Sequence, residues 1–431
     1  MNFTSNQNST KVDQFSKPEI CGKCHIEIYN QWKGSMHNKA FYDPIWQAVT
    51  KLFSNDLLTE EQVLVMKSCI KCHTPLGYFS GSILSPKDDY SKLDELPSQG
   101  VFCNWCHSIN EAEHIGDAVY KMDSTDIKSE LSRMLGPFKD SYTEAHPSKY
   151  SEFHTKSEFC GLCHNVTHAK NKFKLENTYE EWKNSPYNTG DPRTSIHCQD
   201  CHMRQKPGIP VTGKTKMPDN PGKAAKDGPD RKHIWTHYFI GANALVPKLL
   251  GSEVHSDMAI EKLTNAAALE IIREGEYSKN KHAKINIKVI NSGAGHYLPT
   301  GITELRQMWL DIKITDGENK IIFRSGTLDD NGKISENAVI YNTVFGDAKD
   351  NPVLNIAIAE KILLDYRIPP KGYVIEKYGF SIPLDAVSPL KIEAILKYRS
   401  ISQDLIKRLL KDNTPVIPVI DMTRDYEEIS F

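Results

Sequence analysis

The stretch Ile20–Phe41, ICGKCHIEIYNQWKGSMHNKAF, decides how this chain is built. It places Cys21 and Cys24 directly before His25, and His37 follows twelve residues later. The same pattern, C-x-x-C-H, occurs four more times and accounts for all ten cysteines of the 431-residue chain. The five motifs are Cys21, Cys24 and His25; Cys69, Cys72 and His73; Cys103, Cys106 and His107; Cys160, Cys163 and His164; and Cys198, Cys201 and His202.

C-x-x-C-H is the attachment signature of c-type haem. Two thioether bonds fix the porphyrin edge, and the adjacent imidazole reaches the iron as its proximal ligand. A disulfide framework, zinc ribbons and redox C-x-x-C pairs also use paired cysteines. None of these alternatives explains a histidine after every pair. The motifs therefore predict five covalently bound haem c groups, held by the ten cysteines and the five motif histidines.

His37 requires a separate explanation, because it lies close to the first motif in sequence. A helix from His25 to His37 would separate the two imidazoles by about 18 Å. Two nitrogens bound to one iron from opposite faces lie only about 4 Å apart. We therefore expect His37 to be the second axial ligand of a neighbouring haem, in this chain or in the next subunit.

Eleven histidines lie outside the motifs, which is more than enough for five second axial positions. Position relative to the motifs favours His37, His154, His197 and His237, with His168 and His233 as further candidates. His114 and His146 follow or precede motifs in polar surroundings and are less favoured candidates. His296, in GAGHYLPTG, is either a hydrogen-bonding loop residue or a ligand that reaches across to a haem. Met36 and Met203 lie near motifs, but the supply of histidines favours bis-histidine ligation.

The coarse organisation predicts an α+β multidomain chain. Residues 1–255 combine short helices with long connections, and unequal motif spacings exclude a strict repeat. The Pro-, Gly- and Lys-rich segment 204–232 predicts an exposed loop. Asp257 and Gly275 are plausible cap and stop residues for a linker helix within residues 256–276.

Residues 277–431 show the alternation of half-buried strands. Ile285, Ile287 and Val289 alternate with polar residues, and the same pattern recurs at Leu310, Ile312 and Ile314 and at Ile392, Ala394, Leu396 and Tyr398. Several short strands of this kind predict an antiparallel β-sandwich. No cysteine follows Cys201, so we expect this domain to attach no haem.

Composition narrows the functional classes. The formal net charge of -2 does not favour nucleic acid as a partner. No stretch is apolar over the length needed to cross a bilayer. Attachment of haem to thiols takes place outside a reducing cytosol, so we expect an exported protein that is periplasmic, cell-surface or extracellular.

Four segments resemble a known family. QWKGSMHNKAF (31–41), FHTKSEFCGLCH (153–164) and HYFIGANALVP (237–247) resemble segments that carry distal histidines in multihaem c-type cytochromes. NSGAGHYLPTGITELRQMWLDI (291–312) resembles the β-sandwich domain that follows the haem region in many of them. The resemblance implies extracytoplasmic electron transfer through five mostly bis-histidine haems, with redox proteins or copies of this chain as partners.

Two hypotheses remain open within this resemblance. Some extracellular multihaem cytochromes polymerise head to tail, and a heterologous interface of that kind gives an open filament with His37 as a candidate bridging ligand. The alternative is a pentahaem reductase of the nitrite or hydroxylamine type, which needs one iron with an open face. Ammonia-forming nitrite reductases typically carry a C-x-x-C-K motif, which this sequence lacks, but some relatives use five histidine motifs.

Overall fold

The computed structural model describes residues 10–55, 59–123 and 133–431, and it shows an α+β architecture. Most of the helices are short, and those of the motif region are joined by long irregular segments. The α-helices are α1 (Pro18–Gly22), α2 (Ile26–Lys33), α3 (Met36–Lys39), α4 (Pro44–Asn55), α5 (Glu60–His73), α6 (Pro75–Phe79), α7 (Cys103–Cys106), α8 (Ser157–Gly161), α9 (Thr178–Lys183), α10 (Cys198–His202), α11 (Leu245–Leu249), α12 (Glu253–Leu263) and α13 (Gln403–Leu410).

Every motif overlaps a helix, because one helical turn brings two cysteines three residues apart onto the same face. The strands that lie between the motifs and in the segment after the fifth motif are short and form two-stranded pairs. They are β1 (Ile109–Ala112), β2 (Tyr120–Met122), β3 (Met134–Gly136), β4 (Ser148–Tyr150), β5 (Val166–Thr167), β6 (Lys174–Glu176), β7 (Gly222–Lys223) and β8 (Asp230–Arg231).

The C-terminal part consists mainly of longer antiparallel strands. They are β9 (Ala268–Glu274), β10 (His282–Ile290), β11 (Gln307–Thr315), β12 (Ile321–Ser325), β13 (Ile340–Tyr341), β14 (Thr343–Gly346), β15 (Pro352–Val353), β16 (Lys361–Asp365), β17 (Tyr373–Ser381), β18 (Leu390–Arg399) and β19 (Ile420–Ile429). One sheet has the order β17-β10-β9, and another has the order β12-β11-β18-β19, with β13 also paired to β11.

The two larger sheets share one hydrophobic core. Ile285, Ile287 and Val289 of β10 have no exposed surface, and the same is true of the apolar positions Leu310 and Ile312 in β11. The predicted alternation along these strands is therefore confirmed. Each fully buried aliphatic side chain stabilises the fold by roughly 1.5–3 kcal/mol, so this core is a major source of stability.

The linker helix predicted between Asp257 and Gly275 is wrong in its second half. Helix α12 starts earlier, at Glu253, and ends at Leu263. Residues 268–274 instead form β9, which pairs with β10 from Ala268 to Glu274. The edge of β10 offers hydrogen bonds and an apolar surface to Ile271, and this tertiary pairing outweighs the local helical pattern. The domain boundaries at residues 255 and 277 stay predictions.

The segment 204–232 is largely irregular, as predicted, but it is not simply an exposed loop. Val211 has no exposed surface, and the backbone N–H of Lys226 donates to the carbonyl of Cys24 at 2.9 Å. The segment therefore covers part of the first motif.

Candidate haem-binding cavity

An internal cavity of about 1270 Å³ runs through the motif region. All ten cysteines and all five motif histidines line it, and the cysteines are free thiols. Protein interiors are close-packed, so a space of this size calls for a bound group. Free thiols and imidazoles around a largely apolar space fit covalently attached haem.

Four of the five motif histidines are oriented by a backbone carbonyl. The Nδ1–H group can donate to these carbonyls, which leaves Nε2 free to bind a metal. The Nδ1-to-oxygen distances are 2.7 Å from His25 to Ala224, 2.7 Å from His73 to Ala40, 2.6 Å from His107 to Leu135 and 2.6 Å from His202 to Ile240.

His164 has a different partner. Its Nδ1 lies 3.0 Å from Oε1 of Glu176, which also accepts a hydrogen bond from Thr178. Burial lowers the pKa of His164, but the hydrogen bond and charge of Glu176 outweigh it and raise the pKa to about 9. A carboxylate partner makes an imidazole a more basic metal ligand. The fourth motif therefore has the most electron-donating histidine.

Four motif histidines face a second imidazole across the cavity. With metal-to-nitrogen bonds of about 2 Å, two imidazoles on one metal have ring centres about 6 Å apart. The observed ring-centre distances are 6.3 Å for His25 and His146, 6.4 Å for His107 and His237, 6.3 Å for His164 and His37, and 6.3 Å for His202 and His296. Each pair has the spacing of a bis-histidine site.

The electrostatics of the facing histidines suit metal binding. Burial lowers the pKa of His37 to about 3, and the neighbouring His164 and His237 add to this. Burial likewise lowers the pKa of His237 to about 3 and lowers that of His296. These imidazoles are neutral at pH 7, which is the form that coordinates a metal.

Two predicted ligands have both ring nitrogens engaged elsewhere. His154 stacks 5.6 Å from His107, but its Nδ1 lies 2.9 Å from Ser151 Oγ and its Nε2 lies 3.2 Å from the Cys106 carbonyl. His168 lies outside the cavity lining; its Nδ1 accepts from the Asn171 N–H and its Nε2 lies 3.1 Å from the Ile356 carbonyl.

His197 and His233 are not brought opposite a motif histidine. His197 lines the cavity, but its Nδ1 accepts from the backbone N–H of Ser157 at 3.3 Å. His233 lies outside the cavity lining, where its Nδ1 accepts from the Asn220 N–H at 3.1 Å. Its ring packs edge-on against Trp235. The ligand roles predicted for these residues stay predictions.

Sequence reasoning did not favour His146, and it left His296 as one of two alternatives. His146 lies just before β4 and nearest in sequence to the fourth motif, but it faces His25 of the first motif. His296 lies in the loop after β10, where Asn291 Nδ2 donates to the His296 carbonyl at 2.8 Å. The only sequence signal for His296 is its Gly-rich loop; we find none for His146.

His73 is the exception among the motif histidines. All sixteen histidines lie in the described residues, and none of the other fifteen faces His73 at the spacing found in the four pairs. Its ring instead stacks on Trp46, with ring centres 4.5 Å apart and planes 4° apart.

Thiols from different motifs meet inside the cavity. Cys21 contacts Cys103, Cys72 contacts Cys163, and Cys160 contacts Cys198. The first motif is therefore next to the third, and the fourth motif is next to both the second and the fifth. Cys106 of the third motif is close enough to Cys160 for its charge to raise the pKa of that thiol, which joins the two groups.

A buried cation lies beside the fifth motif. Lys262 of α12 donates to the carbonyls of Cys201 at 2.9 Å and Val211 at 2.7 Å. Burial lowers the pKa of Lys262 to about 8, and its charge helps to lower the pKa of His202.

Comparisons with known proteins agree with this site. The family model described as Cytochrome c554 and c-prime matches residues 20–108, which contain the first three motifs. No curated protein matches the chain. The penta-heme cytochrome c552 from Thermochromatium tepidum is similar in structure, with 17% identity and a TM-score of 0.64, and the match covers 97% of this chain and 100% of that chain.

A second solved structure, the CARDB domain of a Pyrococcus furiosus protein in complex with di-metal ions, matches 38% of this chain and 85% of that chain. Its identity is 11% and its TM-score is 0.19, so it carries no argument.

The five motifs and the family match support a multihaem c-type cytochrome that binds haem c covalently and transfers electrons. Its fold is similar, over nearly its whole length, to that of the T. tepidum cytochrome. Within the described ranges, no helix combines the length and the apolar character that a membrane crossing requires.

Proposed function

We propose that this chain transfers electrons through five haem c groups, four of which have two histidine ligands. The facing pairs carry this proposal, because four independent ring-centre distances fall between 6.3 and 6.4 Å. His146, His237, His37 and His296 are the second ligands of the haems attached at the first, third, fourth and fifth motifs. The haem held by His73 is the fifth.

Bound haem supplies one-electron redox chemistry, and the residues set how that chemistry is used. Two imidazoles fill both axial positions, so a site of this kind passes electrons without binding a substrate. Glu176 makes His164 more electron-donating and lowers the potential at the fourth motif. The charge of Lys262 favours the reduced form at the fifth motif. The potentials therefore differ from site to site.

The contacts between thiols support an order for the electron route. The first motif adjoins the third, the third adjoins the fourth, and the fourth adjoins both the second and the fifth. In this proposal the fourth motif is a branch point: it is linked to the first motif through the third, and directly to the second and the fifth. Electrons enter or leave at the first motif, at the second or at the fifth.

The rest of the proposal concerns setting and assembly. The two larger sheets sharing one core support a β-sandwich domain, and covalent haem supports a periplasmic, cell-surface or extracellular location with a redox protein as partner. In the proposed assignment His37 is the second ligand at His164 of the same chain, which disfavours it as a bridge between subunits. A filament would need another contact, and negative-stain microscopy of native material tests it: regular fibres would support polymerisation, and discrete particles at every concentration would exclude it.

The test of the ligand assignment compares histidines that face a motif with histidines that do not. In His146→Ala and His296→Ala we expect one low-spin signal in the oxidised EPR spectrum to convert to high spin. His154→Ala and His197→Ala are matched controls, since both residues line the cavity but have other hydrogen-bond partners. The mass of the intact protein gives the haem count for each variant. Conversion in the controls and not in the first pair would overturn the assignment.

A further inference from the structure

Arg231 of β8 joins two chain segments of the haem region. The β3–β4 segment, residues 134–150, includes Phe138 and Asp140, and the hairpin segment, residues 222–237, begins with β7 and β8. Arg231 Nη1 donates to Asp140 Oδ1 at 2.6 Å, and the guanidinium carbon lies 3.9 Å from the centre of the Phe138 ring. A cation over an aromatic face is attracted to the ring. Charge and packing therefore both hold the two segments together.

Each of these segments contributes to the same two motif sites. In the β3–β4 segment, the Leu135 carbonyl accepts from the third-motif histidine, and His146 faces the first-motif histidine. In the hairpin segment the roles are exchanged: the Ala224 carbonyl accepts from the first-motif histidine, and His237 faces the third-motif histidine. A contact that joins the two segments therefore affects the imidazoles on both sides of both sites.

The strand that carries Arg231 is held against the first motif. Gly222 of β7 pairs with Arg231 of β8, and in the turn between the two strands the Lys226 N–H donates to the Cys24 carbonyl at 2.9 Å. Arg231 and several residues of this turn line the cavity. Arg231 is thus part of the wall of the space that the haem groups would fill.

One donor of Arg231 has no partner within the described residues. The side chain is 12% exposed, and its Nε is buried without a hydrogen bond. Two other cations of the cavity lining, Lys262 and Arg306, donate to backbone carbonyls at 2.7 and 2.8 Å. A buried donor on a charged group is costly without an acceptor, so Arg231 Nε calls for a partner that the chain does not supply.

The carboxyl groups near Arg231 do not meet this need. Asp140 is engaged by Nη1, and its side chain is 67% exposed. Asp227 in the hairpin turn lines the cavity, but it is 86% exposed and lies 4.0 Å from Lys226, so solvent satisfies it. Bound haem brings propionate carboxylates into the cavity. The planar guanidinium, with its fixed N–H donors, is well suited to pair with carboxylates.

We propose that Arg231 Nε donates to a propionate carboxylate of the haem at the first or the third motif, while the same guanidinium joins the two segments that carry the facing histidines of both sites. The proposal rests on the proposed function, because it requires haem at these two motifs. Arg231 is thus a binding residue for the edge of one haem and a positioning residue for the ligands of two. Its positive charge favours the reduced form of the haem that it contacts.

Infrared difference spectra between the oxidised and the reduced holoprotein test the carboxylate contact. The haem is isotope-labelled in its carboxylates, which separates their bands from those of Asp and Glu side chains. We expect one labelled band to shift in Arg231→Gln and in Arg231→Lys, because neither side chain keeps the planar guanidinium donor. Arg231→Lys keeps the positive charge, so the test stands even if Arg231→Gln fails to fold. Arg193→Gln, at a position 88% exposed and paired with Asp191, is the control and should match the wild type.

Unmoved bands in both Arg231 variants would overturn the proposal. Asp140→Asn then separates binding of the haem from a purely structural link, since it removes the outer partner and leaves Nε in place. In a redox titration, Arg231→Gln should raise the oxidised-to-reduced ratio of one haem about tenfold at a fixed solution potential, a fall of about 59 mV. Asp140→Asn should lower no potential. Equal falls in Arg231→Gln and Asp140→Asn would show that Arg231 acts only through Asp140, and would also overturn the proposal.

Peptide mass mapping and EPR of the oxidised wild type separate this inference from the proposed function. Low-spin haem at both the first and the third motif, together with unmoved carboxylate bands in the Arg231 variants, would refute this inference alone. A wild type without haem at Cys21 and Cys24 or at Cys103 and Cys106 would refute the proposed function and this inference together.

Discussion

A buried ion pair ties the haem region to the C-terminal domain, and its removal should affect a haem site. Glu181 of α9 receives a hydrogen bond from Arg367 at 2.5 Å, and the two side chains are 1% and 8% exposed. The same carboxylate accepts from the Tyr297 N–H at 3.1 Å and from the Thr300 hydroxyl at 2.7 Å. Glu181 therefore holds the loop that carries His296.

We predict that Glu181→Gln destabilises the protein and loosens His296 from the fifth site. Removing one partner of a buried ion pair costs about 3–5 kcal/mol where the other charge is left uncompensated. Arg367 keeps its pair with Asp365 at 2.6 Å, and glutamine keeps one oxygen acceptor, so we expect a smaller loss, about 2 kcal/mol. A looser His296 should convert part of the low-spin signal of the His202 haem to high spin.

Urea unfolding followed by far-UV circular dichroism measures the stability, and EPR of the oxidised protein measures the spin state. Lys320→Met is the matched control. It breaks an ion pair with Asp385 that lies within the C-terminal domain, and the two side chains are 55% and 70% exposed. Solvent-exposed pairs contribute little, so the control midpoint should equal that of the wild type. A midpoint in Glu181→Gln equal to the control would refute the reasoning. Lost stability with an unchanged EPR spectrum would show that other contacts hold the His296 loop.

Three further predictions concern single positions. Gly100 has φ +65°, and an added Cβ would lie 2.5 Å from the His37 carbonyl, so Gly100→Ala should destabilise the fold by about 1–3 kcal/mol and weaken the low-spin signal at the fourth motif; an unchanged urea midpoint would contradict this. Lys262→Met removes a positive charge beside the fifth motif, and a unit charge about 10 Å away is worth on the order of 2 kcal/mol at an effective dielectric constant of about 20. The potential of the fifth haem should therefore fall by about 70 mV in a spectroelectrochemical titration at pH 7, and an unchanged potential would count against the role of Lys262. Burial raises the pKa of Asp43 to about 6, above its ordinary 3.8, so its contribution to stability is present below about pH 4 and is lost as the pH rises through about 6. The unfolding free energy of Asp43→Asn relative to the wild type should rise by about 2–3 kcal/mol between pH 4 and pH 7, and a flat difference in urea unfolding over this range would oppose the prediction.

The sequence predicts the first ligand of each haem far better than the second. The first ligand can be identified from the motif alone, because His25 directly follows Cys24, one of the two cysteines that attach the haem. The proposed second ligand depends on the tertiary fold: His146 and His296 face His25 and His202 across chain separations of about a hundred residues, and no sequence pattern near either residue indicates that contact. A distance argument excludes His37 as the second ligand of its own haem, but only the structure shows that its ring faces that of His164.

The C-terminal domain shows the same limit in its secondary structure. The alternation of Ile285, Ile287 and Val289 predicts a strand because one face of β10 is buried. The segment 268–274 carries a helical pattern, and only the pairing with β10 makes it a strand.

The facing histidines also determine how the protein would respond to a cut in its backbone. Under the proposed ligand assignment, the chain segments that these pairs close overlap in series, from His25 to His146, from His37 to His164, from His107 to His237 and from His202 to His296. Every peptide bond between His25 and His296 therefore lies inside at least one closed segment. A protease that cuts this region once should leave two fragments that stay joined by histidine coordination to haem iron. They should migrate as one particle until denaturant or acid breaks that coordination.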